Sequence, residues 1–169
     1  MKTFIRFINE DLNKPQFKTN SEGNVFPVYK EPDPHRLSNE EHDETIHQSH
    51  DIKSGNMGEF TPHPAIAKAI HNFAKNKPAF HDALKNSKIE EVKQGTEVGN
   101  SEIGQGLKNV EDKQKIKRVK GMIQNKHPID RPIILRHTDS NGNVFHHLLA
   151  GNTRATAVGH GIEAHHIDV

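Results

Sequence analysis

The chain has 169 residues, a net charge of +1, 31% hydrophobic residues and a mean hydropathy of −0.84. This length is typical of one domain with appendages, and the low apolar content indicates a lean core. The chain has no cysteine, which excludes disulfides and thiolate metal sites and fits a reducing compartment such as the cytoplasm. Its near-zero net charge means that binding to nucleic acid must be local, and its apolar runs are too short to span a membrane.

Residues 1–12 predict an amphipathic helix, because the apolar side chains fall on one helical face: Phe4, Ile5, Ile8 and Leu12. Arg6 interrupts the apolar run and no small-residue cleavage site follows, so this is not a secretory signal. The stretch resembles the capsid-targeting peptide of internal head proteins in T-even-like phages. Those peptides begin Met-Lys-Thr-aromatic and end in a hydrophobic-x-Glu processing site, which Ile8 and Glu10 match.

This resemblance implies a protein that is packed in the virion interior and ejected with the DNA into the host cytoplasm. The alternative is an ordinary amphipathic helix docked on the domain of a cytoplasmic protein.

Residues 13–61 are predicted to form a largely irregular linker with one marginal strand at 25–29. Residues 31–58 are rich in charge and histidine and too poor in apolar residues to offset their chain entropy. His42, His47 and His50, with Asp43 and Asp51, carry ligand types for zinc or nickel. Their spacing matches no strong zinc signature, so a solvated segment is the preferred interpretation and no metal site is assigned.

Residues 62–169 are predicted to form the domain, starting with a helical hairpin that packs over a sheet. Residues 62–85 have helical periodicity with a break at Asn76-Lys77, and Pro64 and Pro78 lie near the two helix starts. Residues 87–106 are assigned to a connector because they contain glycines and acids but no periodic apolar pattern.

Residues 111–124 predict an amphipathic helix whose apolar face is surrounded by lysines and one arginine: Lys113, Lys115, Lys117, Arg118 and Lys120. A solvated helix is the preferred interpretation. The alternative, a local basic surface for phosphates, gains some support from the nearby Arg131, Arg136 and Arg154.

The C-terminal part predicts three strands, at residues 132–136, 144–149 and 163–167. Asn141 and Gly142 between the first two are a hairpin signal. Two histidine pairs lie on these strands, His146–His147 and His165–His166. Neighbours on a strand point to opposite faces, so structural or surface roles are favoured over chelation.

The turn after the second strand is the main candidate site. Gly151 permits an unusual backbone, Asn152 or Thr153 can cap a following helix, and Arg154 adds a forked cation at the helix start. Exposed N–H groups at a helix N-terminus attract anions. The stretch therefore predicts a phosphate site formed by Gly151, Asn152, Thr153 and Arg154. The alternative for Arg154 is a salt bridge to Glu163 or Asp168 that stabilises the fold.

The order helix, Pro-Ile strand, hairpin, strand, Gly-x-x-Arg and helix resembles the ParB/sulfiredoxin superfamily over residues 111–169. The matching positions are Pro132, Ile133, Gly151 and Arg154. The resemblance implies an α+β fold: a small mixed sheet with flanking helices. Two departures matter. Asn152 and Thr153 replace the acid and second arginine usual in ParB proteins, and without cysteine the chain cannot perform sulfiredoxin chemistry.

Superfamily members hydrolyse nucleotides, phosphorylate small molecules, cleave nucleic acid or only bind it, so the resemblance implies a nucleotide or nucleic-acid partner without choosing a reaction. The cofactor is not identified; the candidate is a nucleotide with Mg²⁺. The general base is also unassigned, with four candidates: Asp139, Glu163, His146 and His147. The alternative function is a non-enzymatic internal head protein, injected with phage DNA, that binds and inhibits a host protein.

Overall fold

The computed structural model describes residues 26–31, 39–57, 61–99 and 110–169 and shows an α+β protein. The described helices are α1 (Asn39–Ser54), α2 (Pro64–Lys75), α3 (Lys77–Lys85), α4 (Val110–Gln124) and α5 (Asn152–Val158). The strands are β1 (Lys88–Glu91), β2 (Val98–Gly99), β3 (Ile133–Thr138), β4 (Val144–Ala150) and β5 (Glu163–Asp168). Among the described helices, none is long and apolar enough to cross a membrane.

The strands form one mixed sheet in the order β1-β5-β3-β4-β2. The predicted hairpin joins β3 to antiparallel β4, and β5 returns parallel to β3 after the crossover through α5. The prediction of a small mixed sheet from these three strands is confirmed. The outer strands β1 and β2 were missed, because β1 has no buried residue and β2 has only two residues, so neither leaves a periodic apolar pattern.

Helices pack on both faces of the sheet. On one face α2 and α3 bury Ile66, Ile70 and Phe80 against Ile133 and Leu149 of the sheet. This confirms the predicted helical hairpin over the sheet.

The opposite face is covered only in part. Ile123 of α4 and Val158 of α5 pack with Ile134, Leu148 and Ala164 of the three central strands. Successive side chains of β3, β4 and β5 point to opposite faces of the sheet. These apolar side chains therefore lie on the face away from α2 and α3.

The hairpin helices begin with side-chain caps. Nδ1 of His63 accepts a hydrogen bond from the Ala65 amide at 3.2 Å, and Oδ1 of Asn76 accepts one from the Ala79 amide at 3.0 Å. Each cap satisfies an amide that has no partner within its own helix, and the Asn76 cap stabilises the break between α2 and α3.

Helix α1 corrects the prediction of an irregular linker, which is wrong at Asn39–Ser54. The inward face of α1 is polar, with Thr45, Gln48 and Ser49 all buried. Helix formation there depends on hydrogen bonds to distant parts of the chain. Ser49 Oγ lies 2.7 Å from Nδ1 of His71 on α2, for example. An apolar pattern could not reveal such a helix.

A marginal strand was predicted at 25–29. The described residues of this stretch form one isolated parallel bridge, between Tyr29 and Ile129. The Tyr29 hydroxyl accepts a hydrogen bond from the Glu163 amide at 2.8 Å, and the Arg131 guanidinium lies 4.6 Å from the ring centroid. Burial raises the pKa of Tyr29 to about 12. Tyr29 therefore anchors this segment beside the start of β5.

Candidate functional site

The turn between β4 and α5 depends on Gly151. Its φ of +98° lies in the left-handed region, and a Cβ there would lie 2.9 Å from both Cα and Cβ of Pro132. A side chain is therefore disfavoured both by backbone conformation and by close approach. The Gly151 carbonyl accepts the Ala155 amide at 2.9 Å, which makes Gly151 the residue that begins α5.

The expectation that Asn152 or Thr153 caps the helix is wrong. Asn152 is already the first residue of α5, and no side chain caps the helix start. Helix α5 has only seven residues, so its dipole adds little to the local field. Any affinity of this turn for an anion must come mainly from neighbouring cations.

Arg154 was predicted to bind an anion or to pair with Glu163 or Asp168. It pairs with neither, because Arg131 holds Glu163 at 2.8 Å and Arg136 holds Asp168 at 2.6 Å. Among the described residues, the acid within ion-pair distance of Arg154 is Asp130, 3.7 Å from Nη1. That distance exceeds a hydrogen bond, and Asp130 also contacts Lys30 at 3.1 Å. The guanidinium of Arg154 is therefore only weakly neutralised.

A cavity of about 590 Å³ opens beside this turn. All four predicted phosphate-binding residues line it, so the structure brings Gly151, Asn152, Thr153 and Arg154 together on one wall. Two further walls come from helices that the sequence did not connect with the turn. Lys115 and Ile116 lie on α4, and three glutamates lie on α1, at positions 40, 41 and 44.

The charges lining the cavity are mixed. Arg154 and Lys115 are its cations, whereas Asp130 and the three glutamates of α1 are acids. The acids outnumber the cations, so the cavity favours a ligand that joins an anionic group to hydroxyl or cationic groups. The sequence did not predict this acidic wall because the segment containing α1 had been assigned to a linker.

None of the four candidate general bases lines this cavity. Asp139 accepts hydrogen bonds from the Asn143 side chain and from backbone amides of the hairpin turn, and these bonds lower its pKa. Glu163 accepts two N–H groups of Arg131. His147 is buried against Gln48. These three side chains therefore stabilise the fold.

The fourth candidate, His146, lies on the exposed part of the sheet face that α4 and α5 leave uncovered. Its ring is 6.3 Å from that of His166, edge to face. Between them Arg136 donates hydrogen bonds to Asp168 and Glu90, both at 2.6 Å. The bond from Arg136 lowers the pKa of Asp168 to about 2. These groups border a second cavity of about 1030 Å³.

The sequence did not reveal this second cluster, because its residues come from four strands, and β1 and β5 lie far along the chain from each other. The two histidine pairs were the available signal. As expected from strand geometry, His146 and His166 share one face while His147 and His165 lie on the other.

The histidines of α1 do not gather around a common centre. His47 contacts Asp51 at 3.3 Å, and Nε2 of His42 hydrogen-bonds to the Phe73 carbonyl at 3.1 Å. Across residues 26–31, 39–57, 61–99 and 110–169, no three His, Asp or Glu side chains lie close enough together to hold a metal ion.

The amphipathic 1–12 peptide lies outside the described residues, so its resemblance to a capsid-targeting peptide stays a prediction. Comparison of the chain with protein-family models, curated proteins and solved structures gave no match. The resemblance to the ParB/sulfiredoxin superfamily therefore rests on the order of elements and on the Gly151–Arg154 turn.

Proposed function

We propose that the protein has a ParB/sulfiredoxin-like fold and binds a nucleotide, with the phosphates on the Gly151–Arg154 turn. The observation that carries this proposal is that one cavity is lined by two cations from different elements, Arg154 of α5 and Lys115 of α4. The element order α4, β3, β4, α5 and β5, with Gly151 at the turn, supports the fold assignment.

The mixed charge of the cavity favours a nucleotide over a nucleic-acid backbone. A continuous polyanion would be repelled by Glu40, Glu41 and Glu44, whereas ribose hydroxyls donate hydrogen bonds to carboxylates. The volume of about 590 Å³ lies within the usual range for small-molecule sites.

Mg²⁺ fits this arrangement as part of the ligand. In nucleotide sites the ion is commonly held by phosphates with only one or two carboxylates, so a cluster of three protein acids is not needed. The carboxylates that line the cavity are those of the three α1 glutamates and Asp130. Since no candidate base lies at the cavity, the proposal is for binding and assigns no reaction.

The test is a thermal-shift panel of nucleoside mono-, di- and triphosphates with and without Mg²⁺. A ligand at 100 times its Kd stabilises the fold by about 2.7 kcal/mol. For a chain of this length that corresponds to a Tm increase of roughly 5–10 °C. Absence of any shift across the panel at millimolar ligand would overturn the proposal.

Arg154→Ala should weaken binding of the nucleotide that gives the largest Tm shift. We expect its Kd to rise by about one to two decades, because a charge-assisted hydrogen bond to phosphate is lost. Lys68→Ala, at an exposed position of α2, is the matched control and should leave Kd unchanged. If Arg154→Ala lowers the Tm of the ligand-free protein but keeps its Kd, Arg154 stabilises the fold and the proposed site is wrong.

A further inference from the structure

The exposed face of α4 and the turn after it carry a dense positive charge. Residues 113–127 contain no acid, although the whole chain has 22 acids against 23 Lys and Arg. The cations in this stretch are Lys113, Lys115, Lys117, Arg118, Lys120 and Lys126, and all six are exposed. The net charge of +1 therefore conceals a strong local asymmetry.

The apolar side of α4 fixes this helix on the sheet. Ile116 and Ile123 are buried, and Val119 and Met122 pack against the cluster that contains Ile134. The charged side chains thus project from an element whose backbone is held in place, which lowers the conformational cost of presenting them to a partner.

Four cations of α4 have no acid within ion-pair distance among the described residues: Lys113, Lys117, Arg118 and Lys120. Arg131 and Arg136 form ion pairs at 2.8 and 2.6 Å, and Arg154 lies 3.7 Å from Asp130. Among the described arginines, Arg118 alone has no acid within ion-pair distance. In the same described ranges no acid pairs with Lys117 or with its helical neighbours Lys113 and Lys120.

Helical spacing aligns three of these lysines. Lys113, Lys117 and Lys120 are four and three residues apart, so they form one stripe with successive axial separations of about 6 and 4.5 Å. Beside the stripe Gly121 has no atom within 4 Å of the position of a Cβ. A ligand can therefore approach the α4 backbone between Lys117 and Arg118.

The surface around the α4 cations favours one class of anionic partner over others. Insertion into a membrane surface would need a free apolar face, but the apolar face of α4 is already buried. Stable protein interfaces are centred on exposed apolar or aromatic residues, and none of the exposed large hydrophobic residues described lies on α4. A phosphodiester backbone needs only such a row of cations.

We propose that this surface, formed by Lys113, Lys117, Arg118 and Lys120, binds the sugar-phosphate backbone of nucleic acid without reading its sequence. The proposal does not depend on nucleotide binding at the Gly151 turn, because none of these four residues lines that cavity. Either proposal can fail while the other holds.

The test uses the full chain and a short fluorescent duplex of random sequence, as DNA and as RNA, between about 50 and 200 mM salt. Engagement of four cations gives a slope of log K against log salt near −3 to −4 for DNA. Binding of either duplex with such a slope supports the proposal, and the tighter duplex identifies the natural polymer. No binding of either duplex at about 50 mM salt would overturn it.

The double variant Lys117→Gln/Lys120→Gln should reduce the slope by about 2 and weaken binding at about 50 mM salt by at least about tenfold. Lys68→Gln/Lys75→Gln, at two exposed lysines about two turns apart on one face of α2, makes the same charge change and is the matched control. Equal losses in the two double variants would show that only overall charge matters and would contradict a surface on α4. Circular dichroism of both variants checks that each is folded.

Discussion

Gln48 of α1 hydrogen-bonds to His147 of β4, with 2.8 Å between Oε1 and Nε2. The Gln48 amide nitrogen also donates to the carbonyls of Leu148 and Leu149, at 3.3 and 2.8 Å. Among the described residues, β2 pairs with β4 as far as His147. Gln48 therefore satisfies the β4 edge beyond the end of β2 and attaches α1 to the sheet, which places the acidic wall of the cavity.

Gln48→Leu should lower the free energy of unfolding by about 2–4 kcal/mol, because two buried carbonyls and the His147 N–H lose their partner. Chemical denaturation measures this change. Lys53→Ala, at an exposed position of α1, should change stability by less than about 0.5 kcal/mol. Equal stability of Gln48→Leu and the natural chain would show that α1 is not held by this contact.

Stability should fall as the pH is lowered from about 6.5 to about 4. Burial lowers the pKa of His147 to about 4, and it also lowers the pKa of His146, His165 and His166. Over this interval the unfolded chain binds more protons than the folded chain, so protonation favours unfolding. The lowered pKa of His147 alone contributes about 3 kcal/mol to the free energy of unfolding. This contribution is fully present above about pH 6.5 and is lost as the pH falls through the folded-state pKa of about 4.

The measurement is Tm against pH for the natural chain, for His147→Gln and for His50→Gln, which removes an exposed histidine. His147→Gln should flatten the curve between about pH 6.5 and 4. A curve as steep as that of the natural chain would contradict a neutral buried His147.

Gly151→Ala should destabilise the fold more than Gly142→Ala. Both residues have positive φ, of +98° and +82°, so each substitution incurs a backbone cost of about 1–2 kcal/mol. Only at Gly151 does the added methyl also collide with Pro132, whereas nothing lies within 4 Å at Gly142. Denaturant titration of the two variants compares them directly. Equal losses would mean that close packing on Pro132 adds nothing to the requirement for glycine.

If residues 1–12 form a capsid-targeting peptide, protein recovered from mature virions should begin at Asp11, after cleavage following Glu10. N-terminal sequencing or intact-mass measurement of virion proteins tests this. Glu10→Ala should leave the chain uncleaved, and Glu22→Ala, outside the peptide, is the control. Full-length protein in virions, or its absence from them, would contradict the hypothesis.

The sequence alone determined the elements that carry periodic apolar residues or turn signals. The α2–α3 break follows from Asn76 and Pro78, the β3–β4 hairpin from Asn141 and Gly142, and α4 from its apolar stripe. Gly151 and Arg154 were identified from the same kind of local chemistry, because a glycine between an apolar strand and a short helix limits what the backbone can do.

Tertiary structure decided what depends on contacts between distant segments. Helix α1 has a buried polar face, so its folding depends on hydrogen bonds such as those from Gln48, about 100 residues away from their β4 partners. The edge strand β1 is exposed throughout and is defined by its register with β5. The alternative of a salt bridge from Arg154 to Glu163 or Asp168 was wrong for the same reason. Ion pairing depends on which strands are neighbours, and the local pattern of charges does not specify sheet order.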